Sequence, residues 1–154
     1  MRYLIAIAIF LAITLFPGKV LAKDLKTIIL EVSQKEGAPT DIMSAICWVE
    51  SKHNHKALNK KDGNGGRDSN GLCQVQFRTA QWLGYKGSVQ GLFDPKVNVK
   101  YASKYFVYLV KRENGNIYNA IISYNAGSVI LNKRGIPINQ QYLNKVLKAM
   151  EEGR

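Results

Sequence analysis

From residue 24 onward the chain carries apolar positions at a helical period, interrupted by polar stretches. Leu25, Ile28, Ile29 and Val32 recur at the spacing of one helix face and the pattern stops at Gly37, so a first helix is expected over about 24–36. A second should start at a Thr40 or Asp41 cap and run to about Ser51. Residues 54–71, NHKALNKKDGNGGRDSNG, read as loop, because Gly and Asn supply the positive φ that tight turns need. LCQVQ, 72–76, is too short for a helix and is expected to be a brief strand, and Thr79 to Leu83 a helical turn closed by Gly84. Asp94-Pro95 marks the start of a helix to about Glu113, with Tyr101, Tyr105, Phe106, Leu109 and Val110 facing inward. Two more helices are expected, from Ile117 to about Tyr124, stopped by Asn125-Ala126-Gly127, and over about 139–152. With no internal repeat, this predicts one mainly α (α+β) domain of several short helices with a small β element.

The beginning of the chain changes how much of it counts as fold. MRYLIAIAIFLAITLFPGKVLA has Arg2, an uncharged apolar run from Tyr3 to Phe16, a helix-breaking Pro17-Gly18 and a small-residue ending at Ala22. This is the pattern of a secretory signal peptide cleaved after Ala22, and the run is short for a membrane span of about 20 residues. The expected division is signal peptide 1–22 and folded domain 23–154, with no stable membrane insertion after cleavage and an exported product in the periplasm or cell envelope. Of 154 residues, 46% are hydrophobic, enough for one real core. The formal charge is +11, and losing 1–22 removes Arg2 and Lys19 but no acid, leaving +9. A chain this basic should adhere to polyanions. Its cations are spread along the domain without a nucleic-acid module, and export argues against nucleic acid as the partner.

One carboxylate stands out. On a helical wheel begun at Ile42, the residues Ile42, Ala45, Ile46 and Val49 cluster, Met43 lies at the edge, and Glu50 falls between Ile46 and Met43. Partial desolvation inside that stripe, and the negative end of the helix dipole, both push its pKa up, towards the protonated form a general acid needs. The residues alone leave a second reading open, a glutamate at a frayed helix end that turns into water or pairs with Lys52. Other chemistries fit less well. Glu50, His53 and His55 lack metal-ligand spacing, so no metal is expected. DGNGGRDSNG lacks the fifth and twelfth ligands of a calcium loop, the latter position being Cys73. There is no G-x-S-x-G elbow, and a nucleophilic Cys47 or Cys73 would need a basic partner.

AICWVES, SNGLCQVQFRTAQWLGY, GLFDPKVNVKYASKYFVYLVKRENGNIYNAIISYNAG and QYLNKVL follow one another in the chain. In order and spacing, over roughly 25–150, they resemble the motifs of the lytic transglycosylase family with the goose-lysozyme-like soluble transglycosylase domain. The signal peptide and small single domain are similar to the members that accompany secretion and conjugation machines. The resemblance implies a lysozyme-like fold with a substrate cleft beside its β element, no cofactor, and peptidoglycan glycan strands as the partner. It implies cleavage of the β-1,4 bond between N-acetylmuramic acid and N-acetylglucosamine, with 1,6-anhydromuramic ends. Glu50 becomes the catalytic acid, and Ser51, Ser69, Gly71, Gln74, Tyr124, Asn125 and Tyr142 the substrate-binding set. Ser51 would support the acid, Gly71 would let the strand approach closely, and Tyr142 would close the cleft wall beside Tyr124 and Asn125.

Two departures and two alternatives accompany the resemblance. Cys73 stands where the family has Met in Gly-Leu-Met-Gln, and Phe77-Arg78 where it often has Pro-Ala. In the family fold the Gly-Leu-x-Gln stretch packs near the glutamate helix, so a Cys47–Cys73 disulfide is implied; two buried thiols are the alternative. If Asp62 or Asp68 reached the cleft and held a water, the protein would instead be a lysozyme-type hydrolase. A non-catalytic wall-binding scaffold with the same fold is the reading from another class.

Overall fold

The computed structural model describes residues 24–60 and 68–154, so the expected signal peptide and Asp62 lie outside the described residues. Six helices and three two-residue strands follow in order: α1 Leu25–Lys35, α2 Thr40–Ser51, β1 Leu58–Asn59, β2 Ser69–Asn70, β3 Val75–Gln76, α3 Phe77–Trp82, α4 Pro95–Arg112, α5 Ile117–Ala126 and α6 Gln140–Glu151. A 3₁₀ turn, Gln90–Phe93, leads into α4. The caps explain several boundaries. Asp24 accepts from the Thr27 N–H to open α1, Asp94 from Val97 to open α4 with Pro95 in its first turn, and Asn116 from Asn119 to open α5.

Helix α4 is the central post. It packs on α1 and α5, while α2 packs on α1 and α6 and α5 touches α6. Met43, Ala45, Ile46 and Cys47 of α2, Val99, Ala102, Phe106 and Leu109 of α4, Ala120 and Ile121 of α5, and Val146 of α6 are fully enclosed. The core therefore forms where the apolar stripes of these helices converge, so that each helix buries its apolar face against another.

The β element has more strands, each shorter, than the pattern suggested, and is differently placed. β1, β2 and β3 form an antiparallel sheet in that order, with Asn59 opposite Ser69 and Asn70 opposite Val75. Two strands thus lie within the stretch 54–71 expected to be loop, and only the last two residues of LCQVQ are strand. The physical reason is the reversal at Gly71 to Gln74, where Gly71 at φ 73° and Gln74 at φ 52° turn the chain back on itself. Helix α3 begins at Phe77 rather than Thr79, and α2 opens from Pro39 rather than from Thr40 or Asp41. Helix α5 continues through Asn125 and Ala126 and stops at Gly127, at φ 79°. Among the described residues no helix is long and apolar enough to cross a membrane.

Candidate active site

Glu50 sits in the last turn of α2 and is half-buried. Beyond it the backbone turns sharply, with Lys52 and His53 both left-handed at φ 57° and 59°. For non-glycine residues that conformation costs on the order of 1 kcal/mol each. Local hydrogen bonds hold it. Ser51 Oγ donates to the Leu72 carbonyl at 2.5 Å and accepts from the Asn54 N–H at 3.0 Å, and His53 Nε2 donates to the Ser44 carbonyl at 3.0 Å. Burial of His53 pushes its imidazole below the usual 6.5, against the Ser44 hydrogen bond and with the Lys26 charge adding to the fall. His55 Nδ1 bonds the Phe93 carbonyl at 3.2 Å, so the two histidines point to separate backbone acceptors.

The turn between β2 and β3 is the second wall. A disulfide joins Cys73 in this turn to Cys47, one helical turn before Glu50. Asn98 of α4, fully enclosed, braces the same turn from beneath. Its Oδ1 accepts from the Cys73 N–H at 2.8 Å, and its Nδ2 donates to the carbonyls of Asn70 and Leu92, both at 2.7 Å. Gly71 is required by this brace, since a Cβ there would stand 2.5 Å from Asn98 Nδ2 and from the Leu92 oxygen. The close approach that Gly71 allows is thus towards the interior.

Two tyrosines connect the walls. The Tyr124 hydroxyl of α5 donates to the Cys73 carbonyl at 2.9 Å, and the Tyr142 hydroxyl of α6 donates to Glu50 Oε1 at 2.7 Å. Burial first, and the Glu50 charge second, hold both phenols well above their usual 10, so they remain protonated donors. Tyr124 also packs against Tyr105, with ring centres 5.5 Å apart.

Between these walls lies a cleft of about 420 Å³ that Glu50 lines together with Ser69, Gln74, Tyr124 and Asn125. Among the described residues Glu50 is the only acidic side chain lining it, and Asp68 is not part of the lining. Gln74 Nε2 donates to the carbonyls of Gly71 and Ala57, so this side chain both faces the cleft and fastens the turn to the start of β1. Asn125 Oδ1 accepts from Asn139 Nδ2 at 2.7 Å, which ties the end of α5 to the approach to α6. Ser51 and Gly71 do not line the cleft; they hold its walls. Tyr142 lines a second groove on the other side of Glu50.

Asn59, Gln76, Thr79 and Tyr105 also line the cleft and had no signal in the sequence reading as site residues. Tyr105 was expected to face the core; it is half-buried, with its ring shared between core and cleft. Asn98 is the largest omission, and the only mark it left was a polar residue on the inward stripe of α4, three positions before Tyr101 and seven before Tyr105.

The family model of the transglycosylase SLT domain matches residues 27–145, which contain every one of these site residues. The chain belongs to the transglycosylase SLT domain family. The same fold recurs in solved SLT structures. An inactive glutamate-to-glutamine mutant of the lytic transglycosylase Slt from Pseudomonas aeruginosa matches with a TM-score of 0.67 at 20% identity, over 83% of this chain and 23% of that one. The 70-kDa soluble lytic transglycosylase of Escherichia coli matches at 0.56 and 20% identity, over 82% and 20%, and its complex with bulgecin A at 0.54 with the same identity and coverage. The chain therefore spans less than a quarter of the length of those SLT proteins.

Proposed function

We propose that this protein is a peptidoglycan lytic transglycosylase in which Glu50 serves in turn as acid and base. The observation that carries the reading is a lone cleft carboxylate, among the described residues, hydrogen-bonded by Tyr142 and set opposite a turn fastened to its own helix. Most glycosidases need two carboxylates, one to protonate the leaving oxygen and one to attack or to activate water. A transglycosylase can work with one. Glu50 gives its proton to the glycosidic oxygen as the bond to the muramic anomeric carbon breaks. The C6 hydroxyl of the same muramic residue attacks that carbon, and Glu50 takes the hydroxyl proton. The proton count closes within one turnover, with a 1,6-anhydro ring as product. An internal nucleophile carries its entropy cost in advance, so no water has to be positioned.

In this reading Ser69, Gln74 and Asn125 meet sugar hydroxyls, Tyr124 forms a cleft wall, and Tyr142 orients Glu50. Ser51 positions the acid by fixing the end of α2, and Gly71 acts by permitting the Asn98 brace. Inactivity of a glutamate-to-glutamine mutant in the Pseudomonas aeruginosa protein supports giving the chemistry to a glutamate. The pattern of residues 1–22 supports export to the periplasm or envelope, where the wall is. Service to a secretion or conjugation apparatus belongs to the same reading, on the resemblance of the motifs to members that accompany such machines.

The test is a Glu50→Gln variant incubated with purified peptidoglycan. Soluble fragment release should fall by at least about a thousandfold, the order expected for loss of a general acid and base together, with thermal stability unchanged. Turnover near the wild-type rate would sink the assignment.

A further inference from the structure

The segment joining α5 to α6 takes no part in the reaction just described. It is a short hairpin: the Asn132 N–H donates to the Ile136 carbonyl at 2.8 Å, the Ile138 N–H donates to the Ile130 carbonyl at 2.9 Å, and Leu131 pairs with Pro137. Asn132 Oδ1 holds the turn by accepting from the N–H groups of Arg134 at 2.8 Å and Ile136 at 3.1 Å, and Gly135, at φ 73°, closes it. No residue from 128 to 138 lines the cleft or the groove on the other side of Glu50. What the hairpin carries is apolar and uncovered. Ile130, Leu131, Ile136 and Ile138 are 51%, 57%, 45% and 56% exposed; elsewhere among the described residues the only leucines or isoleucines so exposed are Leu30 and Leu58.

Cross-strand partners share a face and successive residues alternate, so Ile130, Ile136 and Ile138 lie on one face and Leu131 with Pro137 on the other. A flat protein partner would cover one of these faces and leave the other in water; a lipid boundary closes around both. The charges point the same way. Lys133 and Arg134 occupy the turn, both exposed, and no Asp or Glu occurs from Asn114 to Met150. Long cationic side chains lay their aliphatic stems along apolar surface while their heads reach phosphate. Each three-residue arm is about 10 Å long at about 3.3 Å per residue, close to the depth of about 5–10 Å at which headgroups meet acyl chains. We propose that this hairpin seats the protein reversibly on the surface of an anionic phospholipid bilayer, with the isoleucines in that boundary and Lys133 and Arg134 on phosphate. The contact is interfacial and spans nothing. Just beyond the hairpin Asn139 donates to Asn125 at the cleft, so seating it also fixes the orientation of the cleft relative to the membrane.

The test is co-sedimentation of the exported, processed protein with vesicles of phosphatidylglycerol and phosphatidylcholine, compared with vesicles of phosphatidylcholine alone. Saturable binding to the anionic vesicles is expected, and binding at least about tenfold weaker to the neutral ones. Lys133→Gln/Arg134→Gln should weaken the anionic binding about thirtyfold, the factor for two cations near such a surface. Ile136→Asn/Ile138→Asn leaves the charge untouched and should weaken it at least about tenfold. All four side chains are exposed, so both variants should melt with the wild type. Equal binding by the wild type and the isoleucine variant would mean that overall positive charge alone holds the protein to vesicles, and it overturns the inference. So does an absence of binding, or equal binding to the two kinds of vesicle. Dimers in vesicle-free solution that the isoleucine substitutions dissolve would give the face to a second copy and overturn it as well. The inference is independent of the transglycosylase reading: a protein that cuts peptidoglycan but ignores vesicles loses the hairpin's role and keeps its reaction.

Discussion

Glu50 and Tyr142 are 92 positions apart in the sequence and 2.7 Å apart in the fold. That hydrogen bond, from a phenol that burial keeps protonated, fixes the carboxylate's orientation at the mouth of the cleft. Hydrogen bonds to charged groups are worth about 1.5–3 kcal/mol, so Tyr142→Phe should lower kcat by about ten- to a hundredfold with KM nearly unchanged. A matching rise in KM with intact kcat would make Tyr142 a substrate contact instead. His53 provides a second prediction at this scale. Its folded pKa is depressed below 6.5, mainly by burial, so on acidification the unfolded chain takes up that proton first. Its contribution to stability is intact above about pH 6.5 and is lost as pH falls below. Thermal melts at pH 7.5 and 5.5 should show a smaller acid-side drop for His53→Gln than for the wild type, and parallel curves would contradict this. At this scale a wheel singles out Glu50 as a carboxylate inside an apolar stripe, while a glutamate turned into water at a frayed helix end fits the same residues. Its partner is not singled out, since only the family resemblance links Tyr142 to it.

At the scale of elements, the long helices could be read because periodicity and caps agree in them: Asp94 and Pro95 before α4, Gly127 after α5. The strands could not. Two residues carry no period, and the turn that brings β2 onto β3, from Gly71 to Gln74, is held in place by groups distant in sequence. Asn98 is the clearest case: its three hydrogen bonds satisfy backbone groups from two separate segments, which no local pattern encodes. The disulfide performs a related task from the other side, clamping α2 to the turn across a separation of 26 residues. A loop of that size constrains the unfolded chain by about 3 kcal/mol. Reduction should therefore lower Tm by about 10 °C, read by calorimetry with and without reductant. Activity should fall as well, because the glutamate and the opposing turn would no longer be covalently paired. A reduced protein with unchanged Tm would remove the clamp from the account.

For the whole molecule, helix packing around α4 leaves one side on which α2, the small sheet, α5 and α6 meet, and Glu50 stands at that junction. In the proposed function the formal charge, +11 for the chain and +9 without residues 1–22, suits work against a polyanionic wall, and Lys52, Lys145 and Lys148 share a groove with Glu50. Charge and composition alone do not choose among polyanions; the cleft and the family are what support glycan in the proposed function. The central claim is that one carboxylate and the sugar's own hydroxyl complete the reaction without water. Mass spectrometry of fragments released from peptidoglycan in ¹⁸O-labelled water tests it most directly. The account predicts 1,6-anhydromuramic ends, lighter by one water than hydrolysis products and free of label; reducing muramic ends carrying ¹⁸O would contradict it.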